Sequence, residues 1–101
     1  MIQKIAIYGA GAIGGWLGAK LAGAGCDVSV VARGATLAAL QQDGLRLVEA
    51  SGTTAHAVRA SHDPAALGVQ DLVIVAVKAA ALLDVARHIA PLIGPDTVVL
   101  T

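Results

Sequence analysis

The tightest constraint on this sequence is a cluster of glycines near its start, Gly9-Ala10-Gly11-Ala12-Ile13-Gly14. The spacing is G-x-G-x-x-G, and its setting gives the pattern its weight. Ile2 to Tyr8 is a short apolar run ending at Gly9, which reads as a buried strand. Ala12 to Ala24 carries Ile13, Leu17 and Leu21 at helical spacing, with Gly25 placed to stop the helix in a left-handed conformation. Each glycine of the turn then has a task. Gly9 lets the chain turn sharply out of the strand. Gly11 leaves room for a phosphate to reach the backbone, and Gly14 lets the helix lie close to the sheet. Gly18 and Ala22 extend that small face at four-residue spacing. The helix N-terminus offers free N–H groups and its positive dipole end to an anion. The whole turn (Gly9, Ala10, Gly11, Ala12, Ile13 and Gly14) is therefore expected to hold the pyrophosphate of a dinucleotide. A strand-to-helix turn that binds nothing would need only one or two glycines.

The rest of the chain alternates in the same way. Asp27 to Ala32 reads as a second strand and Ala35 to Gln42 as a helix ended by Gly44. Leu45 to Glu49 and Ala55 to Ala60 read as a hairpin about Ser51-Gly52-Thr53. Asp63-Pro64 starts a short helix reaching about Leu67. Asp71 to Val77 is a strand with no polar face. Ala79 to Ile93 reads as one long helix with Leu82, Val85, Ala86 and Ile89 on one side, ended by Gly94-Pro95. Thr97 to Leu100 is a last strand. Strands apolar on both faces, alternating with helices, predict an α/β fold: a Rossmann-type, mostly parallel sheet with helices on both faces, stopping after the strand at 97–101.

Composition narrows the classes. The chain has 101 residues, enough for one domain, and is 56% hydrophobic with 14% charged residues. It contains no Phe, one Trp and one Tyr, so Ala, Val, Leu and Ile must fill the core. Formal net charge is zero and no basic cluster stands out, which argues against a nucleic-acid partner. The longest uncharged stretch, Ile5 to Ala19, is interrupted by glycines and falls short of the ~20 residues of a membrane span. With no signal-peptide pattern and a lone Cys26, the expected location is the cytoplasm.

The end of the second strand bears on cofactor choice. An NAD-selective fold places Asp or Glu there to receive the ribose 2′-hydroxyl. This chain has Val30-Val31-Ala32-Arg33-Gly34 instead. A guanidinium can bind a 2′-phosphate through two parallel hydrogen bonds, so Arg33 points to NADP(H). The alternative for Arg33 is a solvated loop side chain.

Three segments together resemble the N-terminal part of the ketopantoate reductase (2-dehydropantoate 2-reductase) family: Ile5 to Gly15, Val31-Ala-Arg-Gly34, and Asp71-Leu-Val-Ile-Val-Ala-Val-Lys-Ala79. The first is shared by many dehydrogenases; the second and third, in this order, are more specific. The resemblance implies NADPH-dependent reduction of a small 2-keto acid, 2-dehydropantoate, to pantoate on the way to coenzyme A. It also implies that Lys78 lines the nicotinamide and substrate side of the cleft, as a catalytic and cofactor-binding residue. A surface lysine at a strand end is the plainer alternative. Some members carry Gln where this chain has Ala81. The family's Asn-Gly segment and helical substrate domain have no counterpart before Thr101, so the chain corresponds to the cofactor half. Two other functions stay open: the cofactor domain of another NADP-dependent 2-keto or 3-hydroxy acid dehydrogenase, and an NADP(H)-sensing module without chemistry.

Other residues carry less. His56, His62 and His88 share no spacing and predict no metal site. Asp84 and Arg87 are expected to form a solvated pair on the last helix, Ser29 has no nucleophile context, and Trp16 is expected to pack into the core, the alternative being a contact with a domain outside this chain. The last strand, unpaired on its outer side, is a possible route to a homo-oligomer.

Overall fold

The computed structural model describes residues 3–9 and 12–101, the side chains of Ala12 and Ile13 excepted. Among the described residues, seven strands and three α-helices follow in chain order: β1 (Lys4–Tyr8), α1 (Ala12–Gly23), β2 (Asp27–Val31), α2 (Gly34–Asp43), β3 (Leu45–Glu49), β4 (Gly52–His56), β5 (Arg59–Ser61), β6 (Leu72–Val75), α3 (Leu82–His88) and β7 (Val98–Leu100). The main sheet has the order β5-β2-β1-β6-β7, and every pairing in it is parallel. The chain lays down β1, β2 and β5 in one direction, then returns to add β6 and β7 on the other side of β1. The order reverses between β1 and β6, and a parallel sheet binds ligands outside the carboxyl ends of its strands at such a point.

Side chains alternate across this sheet and fill two cores. On one face Ile5, Ile7, Val28 and Val30 pack with Ala19 of α1, Leu40 of α2, and Leu45 and Leu47 of β3. On the other, Ala6, Tyr8, Val31, Val73 and Val75 pack with Leu67, Val85 of α3 and Leu92. Ile7, Val30, Val73 and Leu92 are the largest fully buried side chains. Each contributes about 1.5–3 kcal/mol by leaving water. With helices covering both faces, strands apolar on both sides are what the fold requires.

Several boundaries match their sequence signals. Gly25, at φ +95°, closes α1: its N–H donates to the Ala22 carbonyl and that of Cys26 to Leu21, both at 3.1 Å. This paired pattern caps the carbonyls that α1 leaves open. Gly44 (φ +73°) ends α2 and donates to the Leu40 carbonyl at 2.9 Å. Asp63 caps the 3-10 turn Pro64–Ala66, its Oδ1 accepting from the Ala65 N–H.

Four expectations need correction. The hairpin turns at Ala50-Ser51, not at Ser51-Gly52-Thr53, because Glu49 pairs with Gly52 and Leu45 with His56. The segment read as one strand from Ala55 to Ala60 is divided. Its first part belongs to β4, while Arg59–Ser61 leaves the hairpin and joins β2 in the main sheet. The long helix from Ala79 to Ile93 is broken into a 3-10 turn at Ala79–Ala81, α3, and a 3-10 turn at Ala90–Leu92. Pro91 has no N–H for the next helical bond, and its ring would meet the Arg87 carbonyl. Trp16 is 54% exposed rather than in the core, lying on the outer side of α1 with the Lys20 ammonium 6.0 Å from its ring. No helix among the described residues is long and apolar enough to cross a membrane.

Candidate functional site

The turn out of β1 starts within the sheet. The Gly9 N–H donates to the Val31 carbonyl at 3.0 Å, and the Ala76 N–H to the Tyr8 carbonyl at 2.9 Å. Gly9 has φ +97°, and a Cβ there would lie 2.7 Å from Val77 Cγ1 and 3.0 Å from the Ala76 carbonyl oxygen. A Cβ on Gly14 would lie 2.5 Å from the Gly9 carbonyl oxygen and 3.2 Å from Ile7 Cγ2. Both positions therefore require glycine, and Gly14 lets α1 rest against β1. A Cβ on Gly18 would lie 2.9 Å from Leu45 Cδ1, so the close approach continues one turn further along α1. Ala10 and Gly11 lie outside the described residues, as do the side chains of Ala12 and Ile13. The first turn of α1 holds no acidic residue that would compete for its free N–H groups.

A cavity of about 380 Å³ opens where these strands end, bounded by Tyr8 and Gly9 at the end of β1, Val31, Ala32 and Arg33 at the end of β2, and Val77 after β6. Thr36 of α2 and Ala81, Asp84 and Val85 of the segment after β6 complete the wall. Arg33 is the N-cap residue of α2, in extended backbone, and its side chain does not cap the helix. The guanidinium is free to turn across the cavity mouth. There Nη2 donates to Asp84 Oδ2 at 2.7 Å. Asp84 thus pairs across the cavity with Arg33, not with Arg87 along its own helix. His88 Nδ1 is also 2.8 Å from the Asp84 carbonyl oxygen and 3.4 Å from its Oδ1. A second cavity of about 520 Å³ lies on the far side of Arg33, lined by Tyr8, Gly34, Leu37, His62, Asp63, Pro64 and His88 as well.

Tyr8 forms a wall common to both cavities. Burial pushes its phenol above the ordinary 10.0; the Asp84 charge pushes the same way and Arg33 opposes it. The group therefore stays protonated at neutral pH and can donate a hydrogen bond. Lys78 is exposed on the same rim, three residues past β6, where it precedes the 3-10 turn Ala79–Ala81. It stands outside the lining of both cavities.

The structure thus brings Gly9, Gly14 and Arg33 to one rim and adds Tyr8 and Thr36, which the sequence did not single out, and Asp84, which it assigned only to a solvated pair with Arg87. Two signals for them existed. Tyr8 is the one residue of β1 with a polar tip at the strand's carboxyl end. Asp84 is the acidic residue in the first turn of α3, the helix that follows β6.

Comparison with known proteins matches residues 5–101 to the family described as Ketopantoate reductase PanE/ApbA. A 2-dehydropantoate 2-reductase of Mesorhizobium japonicum is 52% identical over 100 residues, covering 98% of this chain and 31% of that protein. The crystal structure assigned to a ketopantoate reductase from Ralstonia solanacearum MolK2 superposes with a TM-score of 0.93 at 63% identity, over 98% of this chain and 31% of that one. A D-mandelate dehydrogenase solved with NADH and anilino(oxo)acetate superposes with a TM-score of 0.84 at 28% identity, over 96% of this chain and 32% of that one. The chain spans about a third of the length of the relatives it matches.

Proposed function

The chain belongs to the ketopantoate reductase family, and from that premise we propose that it is the NADP(H)-binding part of a cytoplasmic oxidoreductase that reduces 2-dehydropantoate to pantoate. The observation that carries this reading is the cavity at the reversal point of the sheet, with Gly9 at one end and Arg33 at the other. The residues fit a dinucleotide. Gly9 and Gly14 stand at positions where a Cβ would clash, and α1 begins beside them with no acidic residue in its first turn to oppose an anion. Arg33, at the end of β2, would hold a 2′-phosphate, and the protonated Tyr8 phenol and the Thr36 hydroxyl, which line the same cavity, would donate hydrogen bonds to it or to the ribose.

When bound, the nicotinamide supplies the hydride that reduces a ketone. The chain's own residues would hold the cofactor at the carboxyl ends of β1, β2 and β6. Lys78, exposed just past β6, would meet the carboxylate or carbonyl of a small keto acid there. The relative solved with NADH and an oxo acid favours one alternative, a cofactor domain serving another 2-keto or 3-hydroxy acid dehydrogenase.

Titration of NADPH and NADH into the parent chain and into Arg33→Ala, by calorimetry or nicotinamide fluorescence, tests the reading. A hydrogen bond to a charged group is worth about 1.5–3 kcal/mol, so Arg33→Ala is expected to weaken NADPH by roughly tenfold to a hundredfold and NADH little. Equal losses for both cofactors would assign Arg33 to the adenine or to the fold and remove the case for NADP(H).

A further inference from the structure

The Arg33 guanidinium is already engaged. Its Nη2 donates to Asp84 Oδ2 at 2.7 Å, across a cavity that both residues line. The two lie far apart in sequence, on α2's N-cap and α3's first turn, so the pair is made by the fold and not by helical spacing. Asp84 also contacts His88, which with Arg33 and His62 lines the second cavity. One carboxylate therefore faces the basic groups that a 2′-phosphate would need.

We infer that Asp84 is a specificity-determining residue that competes with the 2′-phosphate for Arg33 and narrows the chain's preference for NADPH over NADH. The inference rests on the proposed NADP(H) site. Phosphate carries close to two negative charges at neutral pH. To bind Arg33 it must displace Asp84 or sit beside it, and an unpaired carboxylate within reach repels it in either case. NADH brings no phosphate. Its 2′-hydroxyl is a donor, and Asp84 is an acceptor at the cavity wall, in the role that a strand-end acid plays in NAD-selective folds. The pair is easily opened, because Arg33 and Asp84 side chains are 68% and 45% exposed and such surface pairs contribute little to stability. Asp84 thus tunes the choice of cofactor without being needed for the fold.

The test is direct binding of NADPH and NADH to the parent chain, Asp84→Asn, Asp84→Ala and Arg33→Ala, with thermal melts on the same samples to show that each variant is folded. Asp84→Asn and Asp84→Ala are expected to tighten NADPH several-fold and to leave NADH unchanged or weaker, so that the ratio of the two dissociation constants widens by roughly threefold to thirtyfold. If Arg33→Ala weakens NADPH selectively while both Asp84 variants bind like the parent, the competition is refuted and the phosphate site stands. If the Asp84 variants bind NADPH more weakly, Asp84 orients Arg33 for the phosphate and the inference is overturned. If Arg33→Ala spares NADPH or weakens both cofactors alike, the proposed site itself fails.

Discussion

Two adjacent glycines in the first turns of α1 have opposite physical roles. A Cβ on Gly14 would fall 2.5 Å from the Gly9 carbonyl oxygen, a backbone atom that cannot swing aside, whereas a Cβ on Gly15 meets nothing within 4 Å. Gly14→Ala must push α1 off β1 and is expected to cost about 1–3 kcal/mol, typical of overpacking. Gly15→Ala leaves the packing alone and restricts the unfolded chain, so it is expected to stabilise by about 0.5–1 kcal/mol. Urea unfolding of both variants checks the pair. Similar shifts in the same direction would mean that the helix does not rest on the strand at Gly14. This distinction was half legible in the sequence. The G-x-G-x-x-G spacing marks Gly14, but that Gly15 is free depends on which side of α1 faces the sheet. The Arg33–Asp84 pair was not legible at all: its members are 51 residues apart, and helical spacing suggested Arg87 instead.

At the scale of elements, β1 and β6 are joined at their beginnings by one side chain. Asp71, just before β6, accepts the Gln3 N–H at 2.9 Å and the Lys4 N–H at 2.8 Å through Oδ2. These backbone bonds, Lys4 first and then Gln3, hold its carboxyl below the ordinary 3.8. The folded carboxyl then loses its proton more readily than the unfolded one. Its stabilising contribution is complete above about pH 3.8 and is lost as pH falls toward the lower folded value. Asp71→Asn is expected to be less stable than the parent at neutral pH, with the difference shrinking as urea melts are repeated at progressively lower pH in that acid range. A difference independent of pH would show that shape, and not charge, joins the strands. The strands themselves were readable, because β1, β2 and β6 are apolar on both faces and only a covered parallel sheet uses such runs. Their partners were less so. Nothing in Ala55 to Ala60 says that the chain changes sheets midway, since that depends on the open edge of β2, and the helix after β6 ends short of Gly94-Pro95 because Pro91 lacks the N–H to continue it.

For the molecule as a whole, the two edges of the main sheet differ in protection. β5 is three residues long, the Gln41 side chain donates to its Ala60 carbonyl at 3.2 Å, and Arg59 lies 3.8 Å from Asp27. Short length, a charge and a covered carbonyl are ordinary defences of an edge. β7 is equally short, but among the described residues it carries neither a charge nor a side chain covering its carbonyls. It pairs with β6 on one side only, and Val98, Val99 and Leu100 are 49%, 42% and 51% exposed. Val99 also lines an apolar groove of about 340 Å³ with Leu82, Ala86, Ile89 and Ile93. An open strand edge beside an apolar groove invites another chain to extend the sheet and cover the groove at once. The 101-residue chain in isolation is therefore expected to self-associate, with a light-scattering mass that rises with concentration. Val99→Lys places a charge on the exposed strand beside the groove and is expected to return the mass toward the monomer while leaving NADPH affinity unchanged, because Val99 is outside both cavities near Arg33. A parent chain that stays monomeric at high concentration would show that this edge is not adhesive. An association that Val99→Lys does not weaken would place the contact elsewhere, with the exposed Trp16 of α1 the next surface to substitute.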